Sequence, residues 1–174
     1  MRGAPIVALA LFCGACGWRP LYAPVSTADA GPVQRNLAAI NVAPMPERNG
    51  QLLRLALQQR FERFGIAEPQ KYDLAVSFGI AGDGIAIQPD NSVTFTRLTG
   101  TASWTLLAQT PQRTTLASGT ARDIDGLNVI DQQYFAADLQ GQVVQQRIAD
   151  NIADSIAQQL AAYFERQRQS LAAE

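Results

Sequence analysis

The chain has 174 residues, 14 basic against 15 acidic side chains, a formal net charge of −1, two cysteines and no histidine. That length buries a real core in one ordinary domain, and a near-neutral chain without a basic run lacks the electrostatic footprint of a nucleic-acid binder. The missing histidine also excludes a Ser-His-Asp or Cys-His nucleophile and a typical zinc site.

The chain opens as a secretory leader: Arg2 supplies a minimal positive region, and Ile6 to Phe12 form an apolar stretch too short to span a bilayer as a helix. Both cysteines follow at once, and after Cys16 the residue never recurs. Leu11-Phe12-Cys13-Gly14-Ala15-Cys16 resembles a bacterial lipoprotein box, which is cut before a cysteine that is then acylated. The resemblance implies removal of residues 1–15, Cys13 among them, and lipidation of Cys16, because small Ala15 precedes it whereas bulky Phe12 precedes Cys13. The competing readings are a C-x-x-C redox pair, which belongs beside a βαβ pattern, and an ordinary leader with incidental cysteines. A cysteine-free body suits an oxidising compartment, and several acyl chains hold a protein at a membrane where one binds only marginally. Gly17 stands where many lipoproteins retained at the inner membrane carry Asp, so the same resemblance favours the outer membrane.

Residues 16–36, rich in Pro, Ala, Ser and Gly, read as a lipid-anchored tether. Trp18 and Tyr22 lie either at a membrane interface or against the domain. The domain proper spans 37–168, and residues 169–174 form a frayed tail. Leu37 to Val42 is a short strand ended by Pro44 and Pro46. Asn49 is the expected N-cap of a helix whose apolar positions are Leu53, Leu57, Phe61 and Phe64, with Gly65 as its stop. Arg54, Arg60 and Arg63 flank that stripe as a solvated face or a partner surface.

Tyr72, Leu74, Val76, Phe78 and Ile80 alternate as one strand. At Gly82-Asp83-Gly84 the apolar phase changes to odd positions, Ile85 and Ile87. Beyond the turn Pro89-Asp90-Asn91-Ser92, Val93 and Phe95 are odd, and Leu98, Ala102, Trp104 and Leu106 are even. A turn centred near Asp90 sets Ile87 opposite Val93 and Ile85 opposite Phe95. Either twist or paired bulges return this tip to the core, or Ile85, Ile87, Val93 and Phe95 form an apolar tip offered to lipid or a partner. Gly82-Asp83-Gly84 precedes no helix, so it is not a nucleotide loop.

Thr114 to Ile124 is a strand kinked at Gly119. Asp123 and Asp125 share one of its faces, but such pairs near a turn are mostly solvated, and no cleft for two-carboxylate hydrolysis is evident. From about Asp131 a long helix carries Leu139, Val143, Ile148, Ile152, Ile156, Leu160 and Phe164 as its core stripe. Together these elements predict an α+β two-layer sandwich, an about four-stranded mostly antiparallel sheet with two helices packed on one face. No catalytic residue, metal ligand or cofactor motif stands out beyond the covalent lipid, and binding or assembly is the better class.

Short motifs recur in order: Cys16-Gly17-Trp18-Arg19-Pro20-Leu21-Tyr22, Arg48-Asn49-Gly50-Gln51-Leu52-Leu53-Arg54, Thr96-Arg97, Trp104-Thr105-Leu106, Ser118-Gly119-Thr120 and Tyr134-Phe135-Ala136. In that order the chain resembles the lipopolysaccharide-assembly lipoprotein family LptE in its alphaproteobacterial form. The resemblance implies a non-enzymatic outer-membrane lipoprotein that plugs the lipopolysaccharide-inserting, LptD-like β-barrel, aids its assembly and can bind lipopolysaccharide itself. For that lipid the candidates are Arg97 beside the tip, with Lys71, Arg113 and Arg122 behind it, since cations pair with phosphates and carboxylates. A lipoprotein subunit of a lipid-transport system and a periplasmic activator of a wall-building enzyme are the alternatives.

Overall fold

The computed structural model describes residues 31–63, 65–87, 93–128 and 134–172, and of Ala86, Ile87, Val93 and residues 134–136 it describes the backbone alone. The leader, Cys16, Phe64 and the turn at 89–92 therefore lie outside the described residues.

The elements run α1 (Pro32–Ala38), β1 (Ile40–Val42), α2 (Glu47–Phe61), β2 (Tyr72–Ile87), β3 (Val93–Ala108), β4 (Thr115–Asn128) and α3 (Tyr134–Ala172). They make an α+β fold whose single sheet has the order β1-β2-β3-β4. The sheet is mixed: β1 is parallel to β2, and the β2–β3 and β3–β4 pairs are antiparallel. The parallel step follows from the connection, because α2 carries the chain from β1 back to the start of β2, as a parallel neighbour requires.

Several element boundaries differ from the sequence reading: α1 is a helix that begins within the expected tether, and β4 runs on past Ile124 to Asn128. Leu37 and Ala38 close α1 rather than opening a strand; Pro32, at its first turn, is preset for a helix, and Val33 and Leu37 pack one turn apart against the core. The first long helix begins at Glu47 after Pro46, two residues before Asn49, and Gln51 reaches back to the Met45 carbonyl. The last helix continues through Ala172, past Arg168.

The core lies between the helices and one face of the sheet. Leu53, Leu57 and Phe61 of α2 meet Leu74, Trp104 and Leu106 of the sheet and Ile148, Ile152, Ile156, Leu160 and Phe164 of α3, all buried. Each such side chain contributes about 1.5–3 kcal/mol by leaving water. At 1.5 Å per residue α3 is roughly 58 Å long, enough to follow strands of 16 residues end to end. It lies close over β3 at Gly100, where an added Cβ would stand 2.3 Å from Ile148 Cγ2 and 2.9 Å from Ile152 Cδ1.

The α3 stripe is shifted at its start. Val144 is buried in line with Ile148, whereas Leu139 and Val143 are 56% and 61% exposed. Val143 stands five residues before Ile148, so about 100° per residue turns it off the buried line that Val144 continues.

Arg60 is a tether between helices rather than a solvated flank. Its guanidinium donates to both Asp154 carboxylate oxygens and to the Asp150 carbonyl. The hydrogen bond to Asp154, with the nearby Asp150 charge, raises its pKa further against the opposing cost of burial. Arg54 donates to the Val42 carbonyl.

Strand register sets the second face. With Leu74 opposite Leu106, and Ala102 opposite Ala121, even residues of β2 and β3 and odd residues of β4 turn toward the helices. The other face presents Ala75, Ser77, Gly79 and Ala81, then Thr99, Thr101, Ser103 and Thr105, then Ser118, Thr120 and Arg122. Among the described residues no helix covers it.

Candidate functional site

The apolar and cationic features gather at the hairpin end, where β2 and β3 approach their connection. Their register is regular up to Gly84 opposite Thr96, then shifts twice. Ile85 is the extra residue of the first shift, so Ala86, not Ile85, stands opposite Phe95; the second shift sets Ile87 opposite Val93, as the spacing predicts. Two one-residue offsets on facing strands are what the odd-to-even switch in the sequence encodes, because each bulge turns the following side chains to the other face.

The bulges do not return Ile85 to the core: it is 51% exposed. Phe95 is half-buried, its ring laid over Gly126, where an added Cβ would stand 2.4 Å from Phe95 Cζ. Gly126 is thus the space the ring occupies. The Ile87 and Val93 side chains lie outside the described residues.

β4 ends at this level, with Asn128 opposite Phe95, and the first turns of α3 lie beside it. Between them runs a groove of about 360 Å³ lined by Leu127, Leu139, Val143, Val144 and Arg147 among others. Three large exposed apolar side chains, Ile85, Leu139 and Val143, therefore share one end of the molecule. Periodicity placed Leu139 and Val143 in the core; the signal that they are not is the five-residue step from Val143 to Ile148, which leaves Val144 to continue the stripe.

The charges here are paired loosely. Arg97 lies 3.7 Å from Asp83, and Arg147 lies 3.2 Å from Asp125. Asp123 accepts a hydrogen bond from the Asn151 amide. The two β4 carboxylates do share a face, as the spacing predicts, and both are spent on docking α3 rather than poised across a cleft. Exposed pairs of this kind are worth about 1 kcal/mol at most, so a better anion can displace the carboxylate.

The four candidate cations do not form one cluster. Arg122 shares the uncovered sheet face with Arg97 and stands opposite Thr101, roughly 13 Å along β3 from Arg97 at 3.3 Å per residue. Lys71 and Arg113 lie at the other end, roughly 40 Å away by the same rise. There the Lys71 carbonyl accepts from the Gln109 amide, and Arg113 pairs with Asp73 at 3.4 Å. Arg147, which the sequence reading passed over, is closer to the hairpin end than either.

Among the described residues there is no grouping of three or more acidic or other metal-ligating side chains placed to hold an ion. No described helix is long and apolar enough to cross a membrane.

The fold is shared with solved lipoprotein structures. A lipoprotein from Caulobacter crescentus CB15 superposes with a TM-score of 0.63 at 24% identity, covering 79% of this chain and 98% of that one. The rare lipoprotein B of Shewanella oneidensis gives 0.55 at 11% identity, covering 74% and 96%. A lipoprotein B from Nitrosomonas europaea gives 0.54 at 15%, covering 72% and 82%. No curated protein sequence matches the chain. The family described as "LptE: Lipopolysaccharide-assembly" matches residues 37–162, which takes in β1 through most of α3. The chain belongs to the LptE lipopolysaccharide-assembly family.

Proposed function

We propose that this protein is an outer-membrane lipoprotein, anchored on the periplasmic side through Cys16, that partners and plugs the LptD-like barrel inserting lipopolysaccharide and aids that barrel's assembly. Family membership over residues 37–162 carries the reading. The layout supports it. The described chain enters the domain through α1 and β1, which pairs with β2 at Tyr72–Leu74, at the end opposite the hairpin. A 16-residue strand spans roughly 53 Å at 3.3 Å per residue, which lets the hairpin end reach well beyond the anchored leaflet. An uncovered face made mostly of Ser, Thr, Ala and Gly, with Arg97, Arg122 and the exposed Ile124 among them, suits a polar lumen, whose wall also alternates with a lipid-facing side.

At the hairpin end, Ile85 and Phe95 meet acyl chains while Arg97 exchanges Asp83 for a lipid phosphate. Arg122 is the second cation on that face, and Lys71 and Arg113 serve the opposite end. The proposed chemistry is binding alone, with no catalytic residue and no cofactor beyond the lipid on Cys16.

The test is a mild-detergent pull-down of the tagged full chain, with mass spectrometry of what accompanies it. A near-stoichiometric outer-membrane barrel is expected, together with an intact mass that places acyl chains on Cys16. Recovery with transporter subunits or a wall synthase instead overturns the barrel partnership. Arg97→Glu, which loses a charge-assisted contact, and Phe95→Asp, which loses apolar contact with acyl chains, are each expected to weaken lipopolysaccharide binding about tenfold; normal binding by both removes the hairpin end as the lipid site.

A further inference from the structure

Along β3 the uncovered sheet face changes character in a fixed order. Phe95 covers Gly126 at the hairpin end, Arg97 follows beside Asp83, and roughly 13 Å further on Arg122 stands opposite Thr101. Beyond it come two rows of hydroxyls, first Ser77, Ser103 and Thr120 side by side, then Thr105 beside Ser118. Among the described residues of this face from Arg97 to Thr105, Ile124 is the one large apolar side chain, and no aromatic ring is present.

The polar side chains of that stretch are open. Ser77, Thr101, Ser103, Ser118, Thr120 and Arg122 are exposed, and among the described residues none of these side chains is bonded to another protein group. Asp123 and Asp125, on the same strand as Arg122, are turned to the helices, where Asn151 and Arg147 hold them. The carboxylates on the uncovered face itself, Asp73 and Asp83, sit at its two ends with Arg113 and Arg97. The middle of the face is therefore cationic and hydroxylated, a guanidinium that only donates beside hydroxyls that both donate and accept.

Adjacent strands lie about 4.8 Å apart and same-face residues of one strand about 6.6 Å, so these groups form a flat polar lattice. A nucleic-acid base finds no ring to stack on there, and an acyl chain finds little apolar surface to bury against. A chain of hydroxylated rings carrying an anion meets both the hydroxyls and the cation. The order from the hairpin, apolar, cation, cation, hydroxyl, is also that of a glycolipid laid lengthwise: acyl chains, charged groups, then neutral sugar. We propose that this face binds the saccharide of such a glycolipid. Arg122 holds a carboxylate or phosphate carried by the saccharide, and Thr101, Ser103 and Thr120 exchange hydrogen bonds with its hydroxyls. The inference rests on the proposed binding of lipopolysaccharide at the hairpin end and extends it from the lipid to the sugar. Neutral hydrogen bonds add little net affinity in water, so the ion pair supplies most of the binding and the hydroxyls align the ligand.

The probe is lipopolysaccharide stripped of its acyl chains, titrated calorimetrically into the whole chain. Saturable binding is expected, about tenfold weaker in Arg122→Glu and largely restored in Arg122→Lys. Thr101→Val, alike in shape but without the hydroxyl, is expected to lose about threefold. Both positions are exposed, so these variants are expected to melt with the parent chain. A chain that binds intact lipopolysaccharide but not the stripped saccharide overturns the inference and leaves the lipid reading standing, whereas failure to bind either overturns both. Stripped saccharide held equally well by Arg122→Glu also overturns it. So does an Arg122→Glu chain that loses only a barrel partner, because the face then belongs to the barrel wall.

Discussion

One sheet presents two unlike faces. Toward the helices, β2 and β3 offer Leu74, Val76, Phe78, Ala102, Trp104 and Leu106; away from them the intervening residues are Ala75, Ser77, Gly79, Thr101, Ser103 and Thr105. The backbone and its ladder are common to both, so the difference is one of side chains and cover. It separates positions that hold the fold from positions left open to solvent. A paired substitution on adjacent residues, one to each face, exposes that division directly.

The largest contrast is expected between Leu106→Ala and Thr105→Ala. Leu106 is fully buried, and its truncation leaves a cavity costing about 2–5 kcal/mol. Thr105 on the uncovered face should change stability by no more than about 0.5 kcal/mol. Urea unfolding of both variants measures the gap, and equal losses would mean that the second face is also packed.

Next come two glycines of the same sheet. Gly100→Ala pushes a methyl into Ile148 and Ile152, whereas Gly79 has nothing within 4 Å of an added Cβ. Overpacking at Gly100 is expected to cost about 1–3 kcal/mol, while Gly79→Ala should be neutral or stabilise by about 0.4–1 kcal/mol through the unfolded chain. Thermal melts of both decide the matter, and a tolerant Gly100 would mean that α3 moves off β3 easily.

Ion pairs should separate the packed side from the hairpin end more gently. Asp154→Asn removes the carboxylate that Arg60 holds across α2 and α3, at about 1 kcal/mol for a pair that is half open to solvent. Asp83→Asn, at the looser Arg97 pair, should be near neutral in urea unfolding. If the second costs more than the first, the hairpin end is more rigid than its exposure indicates.

The smallest effect is at high pH. Burial raises the Tyr72 pKa above its ordinary 10.0, with Tyr163 nearby adding to the shift. A folded pKa above the unfolded one leaves stability intact below pH 10.0 and erodes it as pH rises through the elevated value. Tyr72→Phe should flatten that alkaline decline in unfolding midpoints, and an unchanged slope would place the decline on another group.

Much of this layout is legible in one sequence because strand and helix periods are local. The alternation from Tyr72 to Ile80 and from Ala102 to Leu106 marks two strands and their buried faces, and the four-residue recurrence from Ile148 to Phe164 marks α3. The tip's change of phase is legible too, although not that two bulges rather than twist produce it, nor which residue each bulge sets aside. Ile85 illustrates the limit: spacing alone pairs it with Phe95, whereas the ladder gives that place to Ala86. Leu139 and Val143 illustrate another, since periodicity records an apolar residue but not whether a neighbouring element reaches it.

What the sequence determined by itself is therefore the elements from β1 to α3, the apolar face along most of each, the absence of histidine chemistry and the motifs that lead to the LptE family. Only the tertiary structure decided that β1 joins β2 in parallel, that Arg60 ties two helices, that the uncovered face stays open and that Lys71 and Arg113 lie far from Arg97. The reason is physical: side-chain pattern follows from backbone periods of two and 3.6 residues, while register, cover and the separation of charges depend on contacts between residues far apart in the chain.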